Sequence, residues 1–283
     1  MRLLFVINEF LKTKSFSSVY SEFAGAAKKH GVFLTVKTNA ELAAALPEKA
    51  DFDAVIFWDK DILLAERLEN AGFRLFNRAE AIEICDSKQK TAVCFEKHKI
   101  SVPKTLLSPK TFENIGYTNL DFLEKAAEKT GFPMIIKEEF GSFGKQVYFV
   151  KNLENARETV KKISPKGFVI QEYISDCRGV DLRLCVVGGK VVSAIKRSNP
   201  EDFRSNIENG GFAEKVIPTE NQQALAIMAA AAAGLDFAGV DILPSRNGDL
   251  VCEINSNPHF AGTLSATGVN IADEIIGYIK KVL

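Results

Sequence analysis

The segment Asp241-Ile-Leu-Pro-Ser-Arg-Asn-Gly-Asp-Leu-Val-Cys-Glu-Ile-Asn255 constrains this chain more than any other. It reads as two short strands, 238–243 and 250–255, joined by a turn rich in Asn and Gly. Side chains alternate along a strand, so Glu253 and Asn255 share a face. Hairpin pairing can bring Asp241 alongside them. Three oxygen ligands on otherwise apolar strands suit a hard cation such as magnesium. Burying two carboxylates with neither a cation nor a partner is costly. A surface hairpin with solvated acids is the plainer alternative. Cys252, by the same alternation, points away from the metal face into core packing.

The rest of the chain supplies the setting. Its 283 residues are enough for two or three compact units. Lys+Arg and Asp+Glu balance at 36 each, so nothing in the charge asks for a nucleic-acid or membrane partner. Five cysteines without a Cys-x-x-Cys pair read as buried small hydrophobes in a reducing compartment. With no signal peptide and no apolar run long enough to span a bilayer, the expectation is a soluble, cytoplasmic protein.

Strand-like runs at 3–7, 32–36, 54–58 and 73–76 alternate with helical patterns at 16–29, 41–46 and 62–70. That alternation predicts a small parallel α/β unit over residues 1–80. Ligands usually sit where such strands end, which makes Asn8, Glu9, Asp59, Lys60 and Asp61 candidates for an acceptor site. No Gly-x-Gly-x-x-Gly follows the first strand, which disfavours a dinucleotide. One long helix is expected over 79–99.

Further on, an apolar strand ends in Lys137 and turns through Gly141, Ser142 and Gly144, with Phe143-Gly144-Lys145 at the tip. Glycines there let backbone amides approach phosphates, although a plain hairpin turn fits as well. Glu172-Tyr173 follows a strand as a polar hinge, and Asp181 and Arg183 share one face of the next. The irregular Asp202-Phe-Arg204-Ser205-Asn206…Gly210-Gly211 has the composition of a functional loop, where an arginine can neutralise a transferring phosphoryl group.

These motifs occur in one order, and together they resemble an ATP-grasp enzyme, more narrowly the RimK-like amino-acid ligases of the alpha-L-glutamate ligase type. The resemblance covers about residue 77 to the C-terminus. It implies an α/β fold in which two α+β subdomains sandwich ATP, preceded by a Rossmann-like parallel domain. The expected divisions are residues 1–80 and 81–283, the latter split into a lid (about 100–170) and a metal-binding part (171–283). It further implies that Lys88 and Lys137 hold ATP phosphates, with Gly141, Ser142 and Gly144 around them. Glu172 and Tyr173 match the adenine side, and Asp181 and Arg183 the strand near the ribose. Arg204, Ser205 and Asn206 match the loop over the reacting phosphate. Asp241, Glu253 and Asn255 match the ligands of two magnesium ions, with manganese as a substitute.

The implied activity is an ATP-dependent, ADP-forming carboxylate–amine ligase working through an acyl phosphate, with Lys137 and Arg204 as its catalytic residues. Its partners would be an amino acid such as L-glutamate and a carboxylate of a small molecule, peptide or protein. Relatives suggest a homo-oligomer, dimer or tetramer. A phosphotransferase on the same fold and a non-enzymatic nucleotide-binding protein are the rival readings. The sequence departs from the ribosomal-protein glutamate ligase at Ser256-Asn257-Pro258-His259-Phe260, so the nucleotide chemistry carries over and the substrates do not.

Overall fold

The computed structural model describes residues 1–11, 13–142, 144–207 and 210–283, without the side chains of Lys14 and Ser15; Phe143 at the tip of the glycine hairpin lies outside the described residues. The chain builds three sheets. The first contains β1 (Arg2–Ile7), β2 (Phe33–Thr38), β3 (Ala54–Trp58) and β4 (Leu75–Phe76), all parallel, in the order β2-β1-β3-β4. Between these strands run α1 (Lys14–Lys29), α2 (Asn39–Ala44) and α3 (Ile62–Asn70). Because β1 is apolar at every inner position, alternation feeds two cores: Leu3, Phe5 and Ile7 enter one, Leu4 and Val6 the other.

The helix expected over 79–99 is two helices, α4 (Ala79–Asp86) and α5 (Lys88–Lys97). Ser87 divides them: its hydroxyl accepts from the Lys90 amide at 3.1 Å and donates to Glu139 at 2.6 Å. A serine that caps a helix start outcompetes continuation of the preceding helix. Lys88 therefore sits at the first turn of α5.

The second sheet contains β5 (Thr105–Leu107), β6 (Met134–Glu138), β7 (Val147–Val150) and β8 (Phe168–Glu172) in the order β5-β8-β6-β7, packed on α6 (Phe122–Thr130) and α7 (Leu153–Ile163). The third contains β9 (Val180–Val187), β10 (Lys190–Ser198), β11 (Phe212–Lys215), β12 (Phe237–Ser245) and β13 (Gly248–Asn255) in the order β11-β10-β9-β12-β13. The alanine-rich α8 (Glu220–Ala232) lays Ala226, Ala229 and Ala230 on this sheet as a packing face.

After β13 come α9 (Ala261–Thr267) and α10 (Ile271–Val282). The apolar face of α10, Ile271, Ile275, Ile276 and Ile279, completes the core under the first sheet, beside α1. Lys29 and His30 fasten it through Asp273 at 2.6 and 2.9 Å. The two ends of the chain thus share one core, and Trp58 of β3 stacks on Phe237 of β12 across it. Among the described residues no helix is long and apolar enough to cross a membrane.

Candidate active site

Two β-bulges set the register of the third sheet and decide which side chains meet. In the β12–β13 hairpin, Ile242 pairs with Val251 but Asp241 pairs with Glu253. Cys252 is the extra residue. Without it Asp241 would face Cys252; with it, Asp241 and Glu253 lie directly opposite each other on one face, and Asn255 faces Gly239 two positions along. The bulge also turns the sulfur of Cys252 into the cleft. Contrary to the alternation argument, Cys252 is a cavity residue, 3.5 Å from the Lys137 Nζ.

A second bulge, between Val191 and Ser193 of β10, brings Arg197 opposite Asp181 where an unbroken hairpin would have brought Lys196. Arg197, 3% exposed, donates to both oxygens of Asp181 at 2.7 and 2.5 Å and to Asp241 at 2.9 Å. Arg183 grips Asp241 from the other side at 2.7 and 2.8 Å. Burial and the facing Asp241 push Asp181 up, offset in part by Arg197, whereas the two arginines hold Asp241 below the usual carboxylate range despite its burial. The sequence reading missed Arg197. Its signal was present, an arginine one step out of register, but only the bulge makes it visible.

Around this network three cavities adjoin. The first is lined by Lys88, Lys137, Gly141, Glu253 and Asn255. Lys88 Nζ reaches the Gly141 carbonyl at 3.3 Å, and burial lowers its pKa. Gly141 takes φ of 148°, and a Cβ there would collide with the Gln146 side chain. The second cavity is lined by Gly144, Glu172, Tyr173, Asp181, Arg204, Ser205 and Asn206. Here Glu172 accepts from the Lys104 amide at 2.8 Å, Tyr173 stands edge-on to Phe149, and Ser205 donates to Asp181. Arg204 bridges the two halves, pairing with Asp202 at 2.7 Å and donating to the Gly144 carbonyl at 2.7 Å. The third cavity joins Ser142, Glu253 and Asn255 to Asn8, Asp59, Asp61 and His259. It takes in all the strand-end candidates except Glu9.

The hairpin donors suit a divalent ion. Glu253 makes no hydrogen bond or ion pair among the described residues, so its carboxylate is open to a cation, and Asn255 would add its side-chain oxygen, an amide nitrogen being a donor only. The arginines use three of the roughly four lone-pair positions of Asp241, which leaves one on Oδ1. The third donor being an amide, no group of three His, Cys, Asp or Glu forms among the described residues.

The RimK-like ATP-grasp domain model matches residues 85–279, which carries all of this site except the strand ends of the first sheet. The chain belongs to the RimK-like ATP-grasp family. It is 34% identical over 245 residues to a protein of Shewanella denitrificans named probable alpha-L-glutamate ligase 2, covering 83% of this chain and 78% of that one. It is 31% identical over 226 residues to the uncharacterized protein MG012 of Mycoplasma genitalium, covering 78% of each. The D-alanine–D-alanine ligase of Bacillus anthracis complexed with ATP superposes at a TM-score of 0.77 over 100% of this chain and 98% of that one; at 18% identity this shows the shared fold. As a RimK-like member the chain is an ATP-dependent, ADP-forming ligase of the carboxylate–amine class. Its family works with ATP and a divalent metal.

Proposed function

We propose that the protein joins an amino acid such as L-glutamate to a carboxylate of a small molecule, peptide or protein through an acyl phosphate. The observation carrying this reading is that Glu253 lines all three cavities: the one with the phosphate lysines, the one with the hinge and Arg204, and the one reaching the strand ends of the first sheet. A ligase of this kind needs phosphate donor, divalent ion and carboxylate to meet at one point, and a residue common to the three spaces marks it.

In this reading Lys88 and Lys137 hold phosphate oxygens, and the amides around Gly141, Ser142 and Gly144 close over them. Glu172 and Tyr173 receive the base. Asp241, Glu253 and Asn255 would hold two magnesium ions, or manganese, which would supply charge neutralisation at the reacting groups. Arg204 leaves its contact with Gly144 to meet the charge on the transferring group. The protein's contribution is alignment and electrostatic stabilisation of an otherwise poor electrophile.

The test is ADP and phosphate release with magnesium and ATP across amino acids and carboxylate acceptors, with mass spectrometry of products. Turnover requiring both an acid and an amine, with an adduct one residue heavier less water, is expected. ADP formation with a phosphorylated acceptor and no amide under any amine would overturn the ligase reading in favour of phosphotransfer.

A further inference from the structure

The third cavity, about 470 Å³, has the size of a small-ligand site. Among the described residues its cations and its acids do not pair with one another. Lys60, Arg183 and Arg197 face it, yet each already serves an acid: Lys60 holds Asp86 at 2.5 Å, Arg183 holds Asp241, and Arg197 holds Asp181 and Asp241. The acids left over are Asp59, Asp61 and Glu253. Glu253 lies at the proposed metal end. Asp61 caps α3 by accepting from the Leu64 amide at 3.1 Å. Asp59 is different. It is 5% exposed and makes no ion pair among the described residues. Its carboxylate receives only neutral donors, Asn8 Nδ2 at 3.0 and 3.2 Å and the Lys60 amide at 2.7 Å.

Beside it stands an acceptor without a donor. Asn257 gives its Nδ2 to the Asp59 carbonyl at 2.8 Å, which fixes the amide and leaves Oδ1 buried with no hydrogen-bond partner among the described residues. A buried anion and a buried orphan acceptor in one cavity wall are each costly unless a ligand supplies donors and positive charge. Leu11, Phe16 and Trp58 add apolar surface to a lining that also holds Asn8, Lys60, Asp61 and His259.

We propose that Asp59 and Asn257 form the binding site for the ammonium group of the amino substrate, with Trp58, Phe16 and Leu11 against its carbon skeleton. This rests on the ligase reading above and adds to it which wall holds the amine. An ammonium brings three donors and one charge. It satisfies the Asp59 carboxylate by a charge-assisted hydrogen bond and the Asn257 Oδ1 by a second. The carboxylate acceptor then lies on the opposite side, toward Glu253 and the phosphate lysines; the ammonium gives one proton to the Asp59 carboxylate, and the freed amine lone pair attacks the acyl carbon with phosphate as the leaving group.

Trp58 is the chain's one tryptophan and lines this cavity, so its fluorescence reports binding directly. The experiment titrates L-glutamate, L-alanine and L-lysine, each beside its Nα-acetylated form, into the full chain with magnesium and a non-hydrolysable ATP analogue. At least one free amino acid should saturate the signal, and its acetylated form should bind about tenfold or more weakly, the worth of one charge-assisted contact. Asp59→Asn, isosteric and still able to accept from Asn8, should lose a similar factor; Asn257→Ala should lose about three- to tenfold. Thermal unfolding checks that each variant is folded, and Asn257→Ala decides if Asp59→Asn is not. Equal binding of acetylated and free forms, undiminished affinity in the folded variants, or no saturation by any free amine overturns the site. Saturation by alanine or lysine but not glutamate would keep the ammonium site and remove glutamate as the added residue.

Discussion

Lys137 Nζ lies 3.5 Å from the sulfur of Cys252, so the proposed phosphate lysine and a bulged cysteine share one wall of the proposed nucleotide cleft. Burial raises the thiol's pKa, which makes it a slow nucleophile. Bound nucleotide would cover it. Alkylation of Cys252 by iodoacetamide, followed by peptide mass spectrometry, should therefore slow about tenfold when magnesium-ATP is present at ten times its dissociation constant. The buried Cys185, outside the cleft, serves as the internal control; equal protection of both thiols would show stabilisation of the fold rather than occupancy.

Arg197 and Arg204 differ in what they hold, and their alanine variants should separate accordingly. Arg197 is buried between Asp181 and Asp241, and its removal leaves two buried carboxylates short of a partner. Arg197→Ala should cost on the order of 3–5 kcal/mol in urea unfolding. Arg204 is partly exposed and paired with a half-buried acid. Arg204→Ala should leave the unfolding midpoint close to wild type and lower kcat on the order of 100- to 1000-fold. A folded Arg204→Ala enzyme within about threefold of wild-type activity would remove this arginine from the mechanism.

Much of this was legible in the residues, and the exceptions share a cause. The parallel first sheet followed from alternating apolar runs, and the Asp241–Asn255 hairpin from its turn and its alternation. What period-two reasoning cannot see is a one-residue insertion in one strand. At Cys252 the insertion reverses the side a cysteine faces, and near Val191 it replaces Lys196 by Arg197 as the partner of Asp181. The break at Ser87 was missed for a different reason: its flanks are both helical in spacing, and the local cap on the Lys90 amide is joined by a contact with Glu139, 52 residues away, that no local pattern shows. Likewise nothing local announced that α10 would roof the first sheet, because that contact joins the two ends of the chain.

Asn77 ties those ends to the site. Its side chain, fully buried, donates to the carbonyls of Phe237 and Ser256 at 2.9 and 3.0 Å and accepts from the amides of Asp236 and Phe237 at 2.7 and 3.2 Å. Ser256 directly follows the proposed ligand Asn255. Asn77→Ala orphans these buried backbone groups and should destabilise by about 3 kcal/mol or more. Asn77→Asp should be worse, since it sets a buried acid against two carbonyls; a variant as stable as wild type would show that water replaces the amide.

Asp59 gives the last expectation, in which stability and binding move in opposite directions. Burial raises its pKa above the ordinary carboxylate value, only partly offset by the Asn8 hydrogen bonds. A carboxyl raised in the folded state binds its proton more tightly there than in the unfolded chain. Its contribution to stability is therefore fully present below the unfolded-state pKa and is lost as pH rises through the folded one. Wherever it is charged, the buried Asp59 is a burden on the free protein. Asp59→Asn should accordingly raise the unfolding midpoint at pH 7, and the gain should shrink as pH falls into the range where wild-type Asp59 takes up its proton. Thermal melts of both proteins from neutral to acidic pH, with magnesium and nucleotide absent, measure this. A midpoint difference that does not change with pH, or one that grows on acidification, would show that Asp59 is not a destabilised charge waiting for a cation.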